Sequence, residues 1–208
     1  MAAKRSRPTA RNHRAAPQQL RIIGGRWRSR LLPVANRPGL RPTPDRVRET
    51  LFNWLGQDLS GWSCIDAFAG TGALGFEAAS RGAQQVLLIE QDPALVRQLE
   101  HIRQKLEADT VRIQRADALH ALAAQPAARA DLVLVDPPFE SPELFAPALA
   151  VAARALRPEG WIYLEAPEPW DDARLADLGL QVHRHLQAGA VHAHLLGPVT
   201  LNQAVDRL

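Results

Sequence analysis

Cysteine is almost absent from this chain, since Cys64 is the only one among 208 residues. A single thiol excludes a disulfide within the chain and is typical of proteins from reducing compartments. No apolar run approaches the ~20 residues that a membrane-spanning helix needs. The basic N-terminus lacks the apolar segment of a secretory signal, and Pro8 and Pro17 oppose the amphipathic helix of a transit peptide. We therefore expect a cytoplasmic protein that is not inserted in a membrane.

Acidic residues are scarce in the first quarter of the chain. Residues 1–48 contain 13 Lys and Arg residues but one acid, Asp45, which gives a net charge of +12. Residues 49–208 contain 12 basic and 21 acidic residues, which gives a net charge of −9. A basic arm on an acidic body is typical of proteins that bind polyanions. Residues 1–19 have no hydrophobic period and few bulky apolar side chains, so we interpret them as a disordered basic tail.

Residues 20–44 predict a small N-terminal β-hairpin extension. Leu20–Ile23 would form the first strand, Gly24-Gly25 the turn and Arg26–Val34 the second strand. Three arginines of the second strand would then share the face opposite Trp27: Arg26, Arg28 and Arg30. Guanidinium groups offer planar donors to phosphate oxygens, so we expect the extension to bind RNA.

A helix is predicted over Asp45–Leu55, where apolar side chains recur at helical spacing. We expect Thr43 or Asp45 to cap it and Pro44 to lie in its first turn. Two arginines fall off its apolar stripe and are expected to face outward: Arg46 and Arg48.

From Cys64 onward, strands and helices alternate. Strands are predicted near 63–67, 85–90, 110–115, 131–136 and 160–165, with helices near 73–81, 93–107, 117–124 and 143–156. This alternation indicates an α/β domain, over residues 45–208, with right-handed βαβ units around a mostly parallel sheet. Near the end, Gln181–Gln187 and Val191–Leu196 flank Ala188-Gly189 and predict an antiparallel hairpin, which brings the sheet to seven strands.

Four histidines lie in this C-terminal hairpin. With a turn at Ala188-Gly189 they would share one face of the hairpin: His183, His185, His192 and His194. They could form a metal site, or they could be the polar face of a hairpin whose other face is apolar. No acid or thiol completes a ligand set, so we favour the polar face and expect no metal.

The run Asp136-Pro137-Pro138-Phe139 follows a buried apolar strand. Proline lacks the N–H that a strand needs, so the chain must leave the sheet here, at the edge where open α/β sheets bind ligands. A carboxylate, a proline carbonyl and an aromatic ring are thus gathered at a crevice. Such a set suits a planar base whose exocyclic amine is gripped and whose ring is stacked. The run could also be an ordinary strand-terminating turn.

Carboxylates follow three successive predicted strands: Asp66, Glu90 and Asp117. Gly70 and Gly72, in a loop after the first of these strands, let a ligand approach the backbone closely. Gly70–Gly75 also fits the dinucleotide pattern, but Asp66 would repel a pyrophosphate and could instead bind a cationic amino group. The three acids suit the ammonium, ribose and adenine of S-adenosylmethionine, although Asp117 could merely cap its helix.

The order of these motifs resembles Rossmann-like class I methyltransferases that modify the exocyclic amines of bases. More narrowly, Arg21–Arg28 and Arg41–Asn53 resemble the RsmD family, and the resemblance runs from about Leu20 to about Leu196. That family methylates the exocyclic amine, N2, of one guanine in bacterial 16S ribosomal RNA. The resemblance implies a cofactor, S-adenosylmethionine, that becomes S-adenosylhomocysteine, and a monomeric enzyme acting on 16S rRNA within the small ribosomal subunit or an assembly intermediate.

The resemblance and the motifs together give three sets of candidate residues. The residues expected to hold the target base are Asp136, Pro137 and Phe139. Those expected to bind the cofactor are Asp66, Phe68, Ala69, Gly70, Thr71, Gly72, Glu90, Asp117 and Ala118. Those expected to bind RNA are Arg21, Arg26, Arg28, Arg30, Arg41 and Arg46.

Two other functions remain open on the sequence. One is an adenine-N6 methyltransferase on DNA or RNA, because the Asp-Pro-Pro-Phe run suits an adenine amine equally well. The other is a non-catalytic RNA-binding assembly factor on the same scaffold. The basic extension favours ribosomal RNA over DNA, and the intact Asp136 and Glu90 favour an enzyme.

Overall fold

The structure is a computed structural model that describes residues 19–34 and 43–199. The expected tail up to residue 18, the end after residue 199 and Arg41 lie outside the described residues. Within the described part of the chain, no helix is both long enough and apolar enough to cross a membrane.

The N-terminal extension forms a two-stranded antiparallel sheet of β1 (Gln19–Arg21) and β2 (Leu31–Pro33). The small sheet was predicted, but the second strand is much shorter than expected. Arg26–Ser29 form turns instead, because their backbone N–H groups bond elsewhere: Arg26 N–H donates to the Ser80 carbonyl at 2.6 Å and Trp27 N–H to Ser80 Oγ at 2.9 Å. Gly25 has a φ of +73°, and a Cβ on it would lie 1.8 Å from the Ser80 carbonyl oxygen.

The main body alternates strands and helices, as predicted. After α1 (Asp45–Trp54) come β3 (Ser63–Asp66), α2 (Ala73–Ser80), β4 (Gln85–Glu90), α3 (Pro93–Leu106), β5 (Val111–Arg115), α4 (Ala118–Ala123) and β6 (Ala130–Val135). A short 3-10 turn then leads into α5 (Phe145–Ala155), β7 (Leu156–Ala166), α6 (Asp172–Leu175), a second 3-10 turn, β8 (Leu180–Ala188) and β9 (Val191–Pro198).

These strands form one seven-stranded sheet in the order β5-β4-β3-β6-β7-β9-β8. Strands β3 to β7 are parallel, and β9 is antiparallel to both of its neighbours. The predicted fold class, a mostly parallel sheet that ends in an antiparallel hairpin, is confirmed. The chain leaves β3 toward β4 and later returns to β6 on the other side, so the topological switch point lies between β3 and β6.

The two faces of the sheet carry separate apolar cores. One face packs on α1, α2, α3 and the extension, whose Leu20, Ile22 and Trp27 join the same buried cluster as Leu134 and Tyr163. The other face packs on α4 and α5. The division of the chain into an extension and a catalytic domain stays a prediction, but their apolar side chains share one core.

Two expectations about the region before and within α1 are wrong. Pro44 occupies the cap position of α1, and no side chain caps the helix. Arg48, expected at the surface, has no solvent exposure, because its guanidinium is held by ion pairs with Glu77 and Asp45 and by backbone carbonyls beneath the extension.

The register of the C-terminal hairpin also differs from the expectation. The pair Ala188–Val191 closes a turn at Gly189, whose φ is +63°, so the turn lies one residue later than predicted. His185 therefore faces His194. His183 lies at a register shift between residues 182 and 184 and packs edge-on against Trp161, 4.8 Å between ring centroids.

The four histidines thus do not share one face. Three of them stack together, with 3.0 Å between His185 Nε2 and His192 Nδ1 and 4.7 Å between the ring centroids of His185 and His194. Among the described residues, no group of three or more His, Cys, Asp or Glu side chains is arranged to hold a metal ion.

Candidate active site

Asp66 and Asp136 lie on either side of the topological switch point. Asp66 is the last residue of β3, and Asp136 directly follows β6, the strand that pairs with it. Crevices at such switch points, outside the carboxyl ends of the strands, are where open α/β sheets bind ligands. The fold therefore brings the two predicted acids to one edge of the sheet.

The glycine loop between β3 and α2 is tightly packed. Gly70 and Gly72 have φ values of +51° and +78°, a conformation that favours glycine. Gly72 precedes the first residue of α2, and its N–H donates to the Ala69 carbonyl at 2.7 Å. A Cβ on Gly75 would lie 2.1 Å from Leu88 Cδ2, so the helix approaches the sheet as closely as only glycine allows. The expected cofactor residues of this loop, including Phe68 and Thr71, accordingly lie beside the β3 edge.

Glu90 and Asp117 both bind backbone N–H groups at neighbouring strand ends. Glu90 Oε2 accepts from Gly70 N–H at 2.9 Å, and its Oε1 accepts from Asp92 N–H at 2.8 Å, so this carboxylate bridges the ends of β3 and β4. Asp117 caps α4 by accepting from His120 N–H at 2.9 Å. The capping bond occupies one of its two oxygens, and the residue is exposed beside Ala118. The cap and the expected contact with adenine are therefore compatible.

The Asp136–Phe139 run leaves the sheet as predicted. The Pro138 carbonyl accepts from Ser141 N–H at 3.0 Å. Among the described residues, no N–H donates to the Pro137 carbonyl, which is thus suited to accept a hydrogen from a ligand. Phe139 is half-buried and packs against the core on the α5 side of the sheet, which leaves part of its ring exposed.

The carboxyls at the switch point are protonated more easily than ordinary ones. Burial raises the pKa of Asp66 to about 7, although the Gly75 N–H donates to its Oδ2 at 3.0 Å and opposes the rise. Withdrawal from water also raises the pKa of Asp136 well above its ordinary value, and the negative charges of Glu165 and Asp66 add to the rise. Perturbed acids of this kind gather at functional sites.

Sequence reasoning missed two residues of this cluster, Glu165 and Tyr163 on β7. Glu165 is only 3% exposed, and its Oε1 accepts a hydrogen bond from the Tyr163 hydroxyl at 2.8 Å. A signal was available, because Glu165 ends an otherwise apolar predicted strand, as Glu90 does.

The extension is fixed to the body by a buried ionic cluster. Glu77 on α2 accepts from the N–H groups of Ile23 and Gly24 at 2.9 and 2.8 Å. It also pairs with Arg48 at 3.3 Å and with Arg81 at 2.9 Å. The sequence predicts none of these contacts, because a glutamate within a helical pattern is usually exposed to solvent.

The predicted RNA-binding arginines in the described part of the chain are all exposed: Arg21, Arg26, Arg28, Arg30 and Arg46. A cavity of about 420 Å³ opens beside Arg21 between the extension and the start of α1, lined also by Leu31, Thr43 and Asp45. Turns, rather than a strand, present Arg26 and Arg28, while Trp27 between them is buried.

The residues at the sheet edge fit S-adenosylmethionine. Three acids at the ends of β3, β4 and β5 offer acceptors for an ammonium, ribose hydroxyls and an adenine amine. Gly72 lets the loop pack closely on the body, since a Cβ there would lie 2.6 Å from Leu99 Cδ2. The buried carboxyl of Asp66 accepts backbone hydrogen bonds but forms no ion pair among the described residues, so it is a suitable partner for a cation.

Comparison with known proteins gives matches over most of the chain. A family model described as conserved hypothetical protein 95 matches residues 20–197. The protein named ribosomal RNA small subunit methyltransferase D from Escherichia coli (strain K12) is 47% identical over 148 residues, 71% of this chain and 72% of the relative. Its namesake from Haemophilus influenzae is 38% identical over 187 residues, 83% of this chain and 95% of the relative.

Solved structures give the same result. A putative methyltransferase from Escherichia coli superposes with a TM-score of 0.74 at 43% identity, covering 86% of this chain and 98% of that one. A putative methylase from Haemophilus influenzae gives 0.70 at 31% identity, covering 88% and 99%.

Proposed function

Because the chain belongs to the RsmD family of Rossmann-like methyltransferases, we propose that it transfers a methyl group from S-adenosylmethionine to N2 of a guanine in 16S ribosomal RNA. The substrate would be presented by the small ribosomal subunit or an assembly intermediate, in the cytoplasm. We expect the enzyme to act as a monomer.

The observation that carries the proposal is the position of Asp136. Asp136 lies at the switch point next to Pro137, whose carbonyl accepts no N–H among the described residues. The partly exposed ring of Phe139 follows on the same loop. An exocyclic amine has two hydrogens to donate, and the Asp136 carboxylate and the Pro137 carbonyl provide two acceptors at one place.

The chemistry follows from what a guanine amine lacks. Its nitrogen is a poor nucleophile, because the lone pair is delocalised into the ring. When Asp136 and the Pro137 carbonyl accept its hydrogens, the nitrogen becomes more tetrahedral and its lone pair turns toward the methyl donor. Phe139 stacks on the ring, a contact worth ~1–3 kcal/mol per base in single-strand binders. Most of the rate gain then comes from positioning.

Asp136 also acts as the base that accepts a proton from the methylated amine. S-adenosylmethionine supplies an electrophilic methyl carbon on a sulfonium sulfur. The amine nitrogen would bond to this carbon as the carbon–sulfur bond breaks, which would leave the neutral thioether of S-adenosylhomocysteine and one proton too many on the nitrogen. Asp136 accepts this proton, and its raised pKa makes it a better base than an ordinary aspartate. The target guanine must be unpaired or flipped out, because an amine inside a duplex cannot reach this loop.

The cofactor is assigned to the other side of the switch point. Asp66 would face its ammonium, Glu90 the ribose hydroxyls and Asp117 the adenine amine. Phe68, Ala69, Gly70, Thr71, Gly72 and Ala118 would line the same crevice. No basic side chain stands among these residues, which suits a cofactor without phosphate.

The test is transfer of an isotopically labelled methyl group to small subunits from a strain that lacks the endogenous activity. Free 16S rRNA and double-stranded DNA serve as alternative substrates, and nucleoside mass spectrometry identifies the product. N2-methylguanosine in 16S rRNA supports the proposal. N6-methyladenosine would identify the adenine enzyme instead, and tight RNA binding without transfer would identify an assembly factor.

A further inference from the structure

Glu165 is a buried acid for which the proposed reaction has no direct use. Strands β6 and β7 are parallel, and their last register pair is Val135 with Leu164. Asp136 and Glu165 are the next residues of the two chains, so they stand side by side at the edge of the sheet, where neighbouring strands are ~4.8 Å apart. Both side chains lie on the sheet face that carries Tyr163, the face covered by α1 and the extension.

Glu165 is held more firmly than Asp136. The Tyr163 hydroxyl donates to its Oε1 at 2.8 Å, and the Thr43 side chain also forms a hydrogen bond with it. Burial raises the pKa of Glu165, while these two hydrogen bonds and the charge of Arg48 oppose the rise and favour its ionised form. Asp136 is largely buried but keeps some solvent exposure at the start of a loop, and among the described residues no hydrogen bond fixes its side chain.

Thr43 connects this pair to the extension. Its backbone carbonyl accepts from Arg48 Nε at 3.1 Å, and the same guanidinium bonds to the Arg21 carbonyl at 2.9 Å. Arg48 also pairs with Glu77, which binds the backbone of the extension at Ile23 and Gly24. A continuous set of buried polar contacts therefore runs from the basic extension to the residue beside Asp136.

We propose that Glu165 is a positioning residue for methyl transfer, which turns the Asp136 carboxylate toward the target amine and makes that placement depend on the docked extension through Thr43. The physical cause is repulsion between two neighbouring carboxylates in a site of low dielectric constant. Because Glu165 is fixed, Asp136 is the one that turns outward into the crevice. This inference rests on the proposed function, since it assigns Asp136 to the amine.

The charged and titratable groups that face this pair are few. Asp66 approaches from β3, Tyr163 from β7 and Arg48 from α1. Asp66 adds to the repulsion on Asp136, and Arg48 acts on Glu165. Changing Glu165 therefore removes one of two negative charges that act on Asp136.

The experiment compares the wild-type protein with Glu165→Gln in steady-state methyl transfer across pH. The glutamine amide can donate to Asp136 and draw it away from the amine. We expect kcat to fall on the order of 10- to 100-fold, the loss typical of a small misplacement, with KM for RNA within about 3-fold. The acid limb of the kcat profile should move to lower pH, because Asp136 loses a repelling neighbour.

The matched control is Glu159→Gln, which changes an exposed acid of the same strand. It should change neither kcat nor the acid limb of its pH profile.

A second pair of variants keeps the test independent of how well Glu165→Gln folds. Thr43→Val removes the hydroxyl and preserves the shape, whereas Thr43→Ser keeps the hydroxyl. We expect Val to lower kcat by about 3- to 10-fold and Ser to retain activity near the wild-type value. Carbon-13 carboxyl NMR titration adds a readout without turnover, in which the pKa of Asp136 should fall in Glu165→Gln.

Two results would overturn the inference while leaving the proposed function intact. One is an active Glu165→Gln enzyme with the wild-type kcat and acid limb. The other is equal loss in the Val and Ser variants of Thr43, with no change in the Asp136 titration. A wild-type protein that transfers no methyl group to any nucleic acid would instead overturn the proposed function, and the NMR titration would still show whether Glu165 acts on Asp136.

Discussion

Arg48 and Glu77 form an ion pair between α1 and α2 in which neither side chain is exposed to solvent, with 3.3 Å between Nη1 and Oε2. Glu77 also pairs with Arg81 and accepts two backbone N–H groups of the extension. Arg48 also pairs with Asp45 at 2.6 Å, but that carboxylate is 65% exposed, so Glu77 is the buried acid on which both arginines depend.

We expect Glu77→Gln to destabilise the protein by about 3–5 kcal/mol, because it leaves the buried Arg81 guanidinium without its paired carboxylate and Arg48 with only the exposed Asp45. The measurement is urea unfolding at pH 7. Glu100→Gln is the control, since Glu100 pairs with Arg103 at 2.8 Å in a solvent-exposed setting and should change stability by less than about 1 kcal/mol. Equal effects of the two substitutions would show that the buried cluster does not hold the extension in place.

Asp136→Ala should nearly abolish methyl transfer and leave the dissociation constant of the cofactor within a few-fold. The substitution removes both the acceptor for the amine and the base for its proton, while the cofactor residues lie at other strand ends. Methyl transfer and calorimetric titration of the cofactor check the two parts separately. Asp131→Ala, at the opposite end of β6, should leave turnover near the wild-type value. Unchanged turnover in Asp136→Ala would remove this residue from the mechanism.

Cofactor affinity should weaken as the pH falls below about 7. The pKa of Asp66 is raised to about 7, and only its ionised form attracts an ammonium. Calorimetry between pH 5.5 and 8.5 should therefore show tighter binding with rising pH, at most about tenfold per pH unit below the pKa. In Asp66→Asn this pH dependence should be absent and the affinity low throughout. A pH-independent affinity in the wild-type protein would place the ammonium elsewhere.

The same pKa predicts an effect on stability. The folded-state pKa of Asp66 lies above the unfolded value of 3.8, so the folded protein holds the proton more tightly and loses stability as the pH rises through about 4 to 7. We expect Asp66→Asn to raise the free energy of unfolding at pH 8 by about 1–4 kcal/mol, and to have less effect at pH 4. Urea unfolding of both proteins at the two pH values is the measurement. A destabilised Asp66→Asn at pH 8 would contradict the expectation.

Replacing Arg26, Arg28 and Arg30 together with alanine should weaken RNA binding and its dependence on salt. Each lost phosphate contact lowers the slope of log affinity against log salt by ~0.7 for single strands, so the triple variant should lose up to about two units. Filter binding to 16S rRNA between 50 and 300 mM KCl measures the slope. Alanine at Arg112, Arg129 and Arg184, which are exposed on the main body, is the control and should retain the wild-type slope.

Much of the fold could be predicted because its signals are local. The apolar strands, the helical spacing and the prolines after Asp136 each lie within a few consecutive residues. The acids at the strand ends were found for the same reason. The parallel strands bring those ends to one edge, so local patterns were enough to gather Asp66, Glu90 and Asp136.

The remaining features depend on contacts between distant parts of the chain. Arg48 and Glu77 are 29 residues apart, and a charged residue in a helix gives no local sign that it will be buried. Arg26–Ser29 were read as a strand because their pattern alternates, but Ser80 takes up the backbone donors of Arg26 and Trp27. His183 does not share a hairpin face with the other three histidines, because a register shift lies between residues 182 and 184. No local sequence pattern predicts this shift.

The contacts of Glu77 also bear on how substrate range could change among relatives. The extension shares its apolar core and its buried charges with α1 and α2. It therefore cannot be exchanged by itself between two methyltransferases. A functional exchange would have to transfer the partners at positions 48, 77 and 81 together with the arginine-bearing turns. The proposed RNA-binding turns and the core of the main body therefore depend on the same buried contacts, so a change in one must be matched by a change in the other.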